Sequence, residues 1–276
     1  ADTNINYHFF NFSNIFSRIY FEQTKFVKIL NASNFHIVHS LSNILPIQYQ
    51  GRQFLTLHDI IFRKFPGRYS FIKKNYYSLF IRKSAQIAEK ILVPTLSTAN
   101  DLKQFYSIDE NKIFIIPYSA NSFLKNSVKG EESIKIKLNL PDNYFLFVGT
   151  LEPGKNINFL IDLMDSFCLT EKKFKLIVVA GKGWKYKLPQ KKYLLHLSGL
   201  NESELSVVYK NSSIFLYPPF YEGVGMPVLE AEKFGIPVIC SDYPAATEIT
   251  SPENIQKLNI ADWLKKINQL IKCEKK

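Results

Sequence analysis

The chain has little of what would make it a membrane span, a disulfide scaffold or a dinucleotide enzyme. Its longest apolar runs, such as YFLFV at 144–148 and IFII at 113–116, are far short of the roughly 18 residues that cross a bilayer. No segment is expected to span a membrane. Cysteine is scarce: Cys168, Cys240 and Cys273 are odd in number, far apart, and in no metal-ligand or redox spacing. That excludes a disulfide framework and fits reduced thiols. Among the 11 glycines no GxGxxG occurs, because GKG at 181–183 stops short, and there is no Walker A pattern. A dinucleotide oxidoreductase and a P-loop enzyme are thereby disfavoured. The opening ADTNINYHFF lacks the basic region, apolar stretch and small-residue site of a secretory signal, so a cytoplasmic protein is expected.

What the chain does have is apolar substance and positive charge. Its 276 residues are 46% hydrophobic, ample for a packed core in one large domain or two ordinary ones. A formal net charge of +11 implies an anionic partner: nucleic acid, a lipid surface or phosphorylated ligands.

Short runs of β-branched and aromatic residues alternate with helical patterns, the mark of a parallel sheet flanked by helices. Strands are expected at 35–40, 54–59, 90–94 and 112–117, with helices near 70–88 and 98–106. The polar stretch KNSVKGEESIKIKLNLPDN (125–143), broken by Gly130 and Pro141, reads as a linker. Beyond it strands are expected at 144–149, 175–181, 194–199, 213–218 and 236–240. Helices are expected near 156–168, 202–210 and 227–234, with a last one at 261–273. The fold class is therefore α/β, with two Rossmann-like lobes over 1–125 and 126–276.

Eight of the 11 glycines lie at or after Gly149, where backbone would approach a ligand. Within them, YEGVGMPVLE (221–230) sets Glu222 and Glu230 around Gly223, Gly225 and Pro227. Pro227 suits the first turn of a helix, because its missing N–H would lack a partner there. Gly223 and Gly225 then bare N–H groups beside the positive end of a helix dipole, a place for a diphosphate. One turn into the helix, Glu230 can accept from a vicinal diol such as a ribose 2′,3′ pair. Glu222 can hold sugar hydroxyls. The plain alternative makes Glu222 a solvated loop residue and Glu230 a surface helix residue.

LYPPFYEGVGMPVLEAEKFGIPVICSDYPAATEI (216–249) resembles the donor-site signature of the family 4 retaining glycosyltransferases. FVGTLEPGKNINFLIDLMDSF (147–167) is similar to that family's preceding motif, and HLSGLNESELSVVYKNSS (196–213) to the strand and helix between them. Weaker likenesses lie at 55–60, 91–102 and 111–121. The resemblance implies a GT-B fold whose N-terminal lobe is truncated, since no leading strand and glycine-rich loop stand before Gly51. It implies transfer of a hexose, mannose-like, from a nucleotide-diphosphate sugar to a glycan or lipid-linked glycan, as in bacterial surface polysaccharide synthesis.

By that resemblance Glu230 binds the donor ribose. Glu222, with Gly223, Val224, Gly225 and Met226, holds the donor sugar and diphosphate. Gly149 and Thr150 line the same pocket, and Lys155 neutralises the leaving diphosphate without a metal or other cofactor. His58, of LTLHDI, reaches toward the transferred sugar, and Glu248 is structural. Thr150 and Gly154 stand where many members carry arginines, which leaves Lys155 with less cationic help, and Pro219 stands where a serine is usual. Beyond Glu248 the usual GDA segment is absent.

Two rivals remain at this level. A degenerate relative would bind nucleotide sugar or a partner protein and turn nothing over. A nucleic-acid binder would use the lysines and aromatics of 73–83 and 182–193, but it leaves the paired glutamates unexplained, so no nucleic-acid partner is expected. The same basic and aromatic stretch at 70–83 can rest on anionic lipid, which makes a peripheral membrane surface a further expected partner.

Overall fold

In a computed structural model of the chain the residues described are 6–33, 35–65, 71–120, 124–125, 127–168, 173–181 and 187–273, the side chains of 71–74 and 273 left aside. The start of the basic stretch at 182–193, Gly183 of GKG, the first residue of the expected helix at 70–88, Asn121 and the Cys273 thiol lie outside this set.

Two parallel sheets form. The first has the order β1-β2-β3-β4, from Val38–Ser40, Gln53–Thr56, Lys90–Val93 and Ile113–Ile115. Helices α1 (Ile15–Gln23) and α2 (Lys25–Ala32) precede it; α3 (Ile61–Lys64), α4 (Phe71–Ile87) and α5 (Leu96–Tyr106) connect its strands. No element was expected before residue 35. α1 starts on a capping box in which the Asn14 side chain accepts from Ser17 N and Ser17 in turn accepts from Asn14 N, the reciprocal arrangement that fixes a helix start. α1 buries none of its residues; α2 buries Val27 and Leu30, which pack in a small cluster with Tyr49.

The second sheet has the order β10-β9-β8-β5-β6-β7. Its strands are β5 Tyr144–Val148, β6 Lys175–Val179, β7 Leu194–Leu197, β8 Ile214–Tyr217, β9 Val238–Ser241 and β10 Ile255–Gln256. Between them run α7 (Ile157–Phe167), α8 (Glu202–Lys210), α9 (Met226–Lys233) and α10 (Ala246–Ile249), and α11 (Ile260–Cys273) closes the fold. β5 and β8 read as unbroken apolar runs because both faces are covered: Tyr144, Phe145, Leu146 and Phe147 are all fully buried, as are Phe215, Leu216 and Tyr217. Each such side chain contributes about 1.5–3 kcal/mol by leaving water. α11 packs on α7, with Trp263 edge-on to Phe159 at 5.0 Å.

The stretch at 125–143 departs from a plain linker. α6 (Glu131–Lys137) forms within it, started by Gly130 at φ 72° with Glu131 and Glu132 in its first turn and Lys135 and Lys137 toward its end. That charge order suits the helix dipole. Glu131 pairs with Lys210 at 2.6 Å and Lys137 with Glu204 at 2.7 Å, which fastens α6 to α8.

The functional consequence lies in strand order. From β5 the chain moves outward through β6 and β7, then returns to place β8 on the other side of β5. Loops leaving two such strands diverge and open a crevice at their carboxyl ends. Those loops are the two motifs, 149–155 after β5 and 218–225 after β8.

Candidate active site

After β8 the chain is pinned before it turns: the Ser241 hydroxyl donates to the Pro219 carbonyl at 2.5 Å. Gly225 then takes φ 94°, a conformation that side chains rarely adopt. A Cβ there would also lie 2.3 Å from the Tyr243 hydroxyl oxygen. α9 begins at Met226 with Pro227 in its first turn and no side-chain cap. Pro227 has no N–H and the Val228 N–H donates to the Gly225 carbonyl at 2.9 Å, so what the helix turns toward the loop is chiefly the positive end of its dipole.

Gly223 is demanded by a different neighbour. A Cβ on it would sit 2.3 Å from the His58 carbonyl oxygen and 2.8 Å from the Asp59 Cβ, so only a glycine lets the loop lie against the first lobe. Thr95 Oγ1 donates to the Gly223 carbonyl at 2.9 Å. One residue before Glu222, the Tyr221 hydroxyl donates to Asp101 at 2.6 Å. Asp101 also pairs with Lys64 at 2.7 Å, whose ammonium lies 4.6 Å from the centre of the Tyr221 ring.

Lys155 and Glu222 are brought together. Lys155 closes a single 3₁₀ turn, Pro153–Lys155, whose end is set by Asn156 at φ 55°. Its ammonium lies 2.5 Å from Glu222 Oε1 and 3.1 Å from the Tyr217 hydroxyl oxygen. Only 14% of the lysine side chain and 17% of the glutamate side chain are exposed, so water screens the pair weakly. Burial pushes the Glu222 carboxyl above the usual carboxylate range, and the Lys155 charge draws it partly back. Burial also holds the Tyr217 phenol well above its usual range, with Glu222 adding to the effect.

Glu230 is not a free surface residue. It is half-buried and accepts from the Tyr209 hydroxyl at 2.8 Å. Burial raises its carboxyl, and that hydrogen bond opposes the rise. Val224 is buried and Met226 half-buried in the same loop. Gly149 ends β5 with its N–H donated to the Val179 carbonyl, whereas Thr150 is exposed.

His58 does not stand as a free base. Past the end of β2, its Nε2 lies 2.8 Å from the Leu41 carbonyl oxygen, which can only accept, and its Nδ1 lies 2.6 Å from the Tyr118 hydroxyl. What meets the Gly223 loop is the His58 backbone carbonyl. Glu248 lies on α10, where its carboxylate accepts from Leu96 N at 2.6 Å and Ser97 N at 2.8 Å. It therefore caps α5 from the opposite lobe.

Sequence reasoning missed Asp59, Thr95, Asp101, Tyr118, Tyr209 and Tyr217. Asp59 adjoins His58, and burial pushes its carboxyl up while the Ile61 N–H holds it down. Tyr209 and Tyr217 sit among apolar residues, where nothing local separates a hydroxyl with a task from one that merely packs. Among the described residues no three His, Cys, Asp or Glu side chains gather in a way that could hold a metal ion.

Residues 128–276 match the family described as Glycosyl transferases group 1, and residues 2–120 match Glycosyltransferase Family 4. The chain is similar to O-antigen chain mannosyltransferase B of Escherichia coli, at 25% identity over 232 residues, covering 80% of this chain and 58% of that protein. It is 30% identical over 209 residues to O-antigen chain mannosyltransferase RfbU of Salmonella typhimurium, covering 71% of this chain and 54% of that protein. The chain thus spans somewhat over half the length of these curated relatives. Among solved structures it is similar to a sucrose-phosphate synthase from Thermosynechococcus elongatus, with a TM-score of 0.71 at 18% identity, covering 92% of this chain and 70% of that one. WaaG, a glycosyltransferase involved in lipopolysaccharide biosynthesis, gives a TM-score of 0.69 at 15% identity, covering 95% and 76%. Anabaena Alr3699/HepE in complex with UDP and glucose gives 0.72 at 13%, covering 90% and 70%. These likenesses carry the fold.

Proposed function

The chain belongs to the glycosyl transferases group 1 family, its fold is of the GT-B type, and on that footing we propose that it transfers a mannose-like hexose from a nucleotide-diphosphate sugar to a glycan or lipid-linked glycan. The observation that supports this reading is the Lys155–Glu222 pair, held 2.5 Å apart in the crevice between β5 and β8, beside the uncapped start of α9. An anion arriving there meets an ammonium and the positive end of the α9 dipole.

In the proposed reaction the donor diphosphate takes Lys155 from Glu222. Glu222 is thereby released to accept from sugar hydroxyls, and Glu230 accepts from the ribose diol. The bond from the anomeric carbon to the phosphate oxygen breaks, charge grows on that oxygen, and the Lys155 ammonium and the loop N–H groups stabilise it. The acceptor hydroxyl bonds the anomeric carbon on the face the diphosphate leaves, and its proton passes to the departing phosphate. Configuration is retained, and Lys155 does the work a divalent metal would do elsewhere. The wall behind the sugar is formed by His58 through its backbone.

A membrane surface is the proposed location of the acceptor. No helix among the described residues is long and apolar enough to cross a membrane. α4, however, turns Leu79, Arg82, Lys83 and Ile87 outward, a basic and apolar face suited to anionic lipid.

The test is calorimetric binding of UDP, GDP, ADP and dTDP to the unmodified chain and to Glu230→Ala, followed by a turnover assay with EDTA present. One nucleotide bound, lost in the variant, with turnover insensitive to EDTA, is the expected result. Failure of all four to bind removes the donor site; binding without turnover of any nucleotide sugar makes the chain a binding relative.

A further inference from the structure

Tyr209 is fully buried in the second core, yet it carries a hydroxyl where phenylalanine would pack as well. Its ring is fixed on both sides. It stacks on Phe234 with centroids 5.5 Å apart and 8° between planes, and lies 5.8 Å from Phe215. Such packing leaves the ring little freedom, so the hydroxyl sits at one point in space. At that point it meets Glu230 Oε2 at 2.8 Å.

A half-buried carboxylate is costly to keep charged without donors. Glu230 is flanked on α9 by fully buried Val228 and Ala231. Tyr209 donates to it, and the Lys233 charge further along the same helix also favours its charged form. The bond crosses from α8 to α9, between elements whose backbones the sheet already holds. Its effect is thus on the rotamer and charge of Glu230 more than on the joining of the helices.

We propose that Tyr209 is a positioning residue: by holding Oε2 it sets the Glu230 carboxylate so that Oε1 meets the donor ribose, making the site selective for a nucleotide that carries a free vicinal diol. This rests on the reading that Glu230 holds the donor. The hydrogen bond also favours the charged carboxylate, which an acceptor of hydroxyl protons needs.

The experiment compares Tyr209→Phe, Glu230→Asp, the double variant and Glu230→Gln with the unmodified chain. The probes are the nucleoside diphosphate that binds and its 2′-deoxy form. Tyr209→Phe is expected to weaken the ribonucleotide roughly tenfold, the size of one lost hydrogen bond to a charged group. It is expected to raise KM for the donor with kcat nearly unchanged, to narrow the preference for ribose over deoxyribose, and to move the acid limb of binding to higher pH. Glu230→Asp keeps the charge but withdraws it by one methylene from the hydroxyl, so it should show the same losses. The double variant should then lose little beyond either single change. Should Tyr209→Phe fail to fold, Glu230→Asp alone decides: undiminished affinity and ribose preference overturn the proposal. Undiminished binding in a folded Tyr209→Phe does so equally, provided Glu230→Gln has lost it. Binding retained in Glu230→Gln would instead remove the donor reading itself.

Discussion

The two lobes differ in how much of their apolar surface they cover. In the second, six strands enclose a core in which Tyr144 to Phe147 and Phe215 to Tyr217 are fully buried. In the first, four strands leave apolar side chains in solvent, including Phe9 at 86%, Leu41 at 66% and Phe16 at 63%. Every side chain proposed to touch the donor diphosphate or ribose comes from the second lobe, and the first supplies a His58 backbone wall and the fastenings of one loop. A rigid sheet places charged groups to within small tolerances, whereas a wall against a variable acceptor needs only shape.

The largest effect that would break this contrast is expected at the ion pair. Lys155→Ala and Glu222→Ala should each lower kcat on the order of a hundredfold or more, while His58→Ala should cost far less; steady-state kinetics with the bound donor checks the order. A His58 variant as damaged as Lys155→Ala would place chemistry in the first lobe after all. Either ion-pair change should also lower the unfolding free energy by about 3 kcal/mol, because the remaining charge is stranded in a buried place; Lys155→Met with Glu222→Leu should restore most of it in a denaturant titration.

Next comes a test of the close approach. Gly223→Ala puts a Cβ 2.3 Å from the His58 carbonyl oxygen, and should cost roughly 1–3 kcal/mol and split the melting transition as the lobes separate. Gly235→Ala serves as the control. Gly235 has φ 69° and nothing within 4 Å of a Cβ, so only backbone strain of about 1 kcal/mol is expected, with a single transition.

The pH dependence sharpens the comparison further. Burial raises the carboxyls of Glu222 and Glu230, so as pH falls these groups take up protons in the folded chain before they would in the unfolded one. Each therefore disfavours the fold at neutral pH, a cost relieved as pH falls through the raised value toward the ordinary one. Donor affinity should move the other way, weakening as pH drops through that same window, since a protonated carboxyl has lost its charge and part of its acceptor capacity and so holds a diol less well. Binding that stays level as pH falls from neutral to below the ordinary carboxylate range would mean that neither carboxyl bears on the donor.

The smallest effect is expected on the exposed face of α4. Arg82→Ala with Lys83→Ala should reduce sedimentation with anionic liposomes at low salt by a few fold and leave nucleotide affinity alone. Equal sedimentation of both proteins would remove α4 from any lipid contact.

Much of the second lobe was legible. β5, β6, β8 and β9 announce themselves as unbroken apolar runs, and α9 by Pro227 after two glycines. Lys155 and Glu222 were each singled out by their motifs, but the ion pair between them was not read. In the first lobe, α1 escaped because it buries none of its residues, and α2 because its buried pair, Val27 and Leu30, is too short a stripe to read. α6 escaped because its stabilising partners, Lys210 and Glu204, lie on α8, far along the chain. The fastenings of the Gly223 loop escaped for the same reason: Thr95 lies 128 residues from Gly223, and Asp101 lies 120 residues from Tyr221. Pairings of that range have no local signature. Gly223, read in the sequence as a residue that bares an N–H, also admits the neighbouring His58 carbonyl, which no local pattern announces.

The loop that carries Glu222 is tied on both sides to one helix of the opposite lobe, through Tyr221 to Asp101 and through Gly223 to Thr95. Loop and helix are therefore thermodynamically linked. Whatever free energy a donor adds to or takes from the lobe contact is returned in full to any molecule that shifts α5. A saccharide seated against the first lobe that moves α5 would change donor affinity by the factor by which the donor changes its own, and order of addition would leave the ternary complex the same.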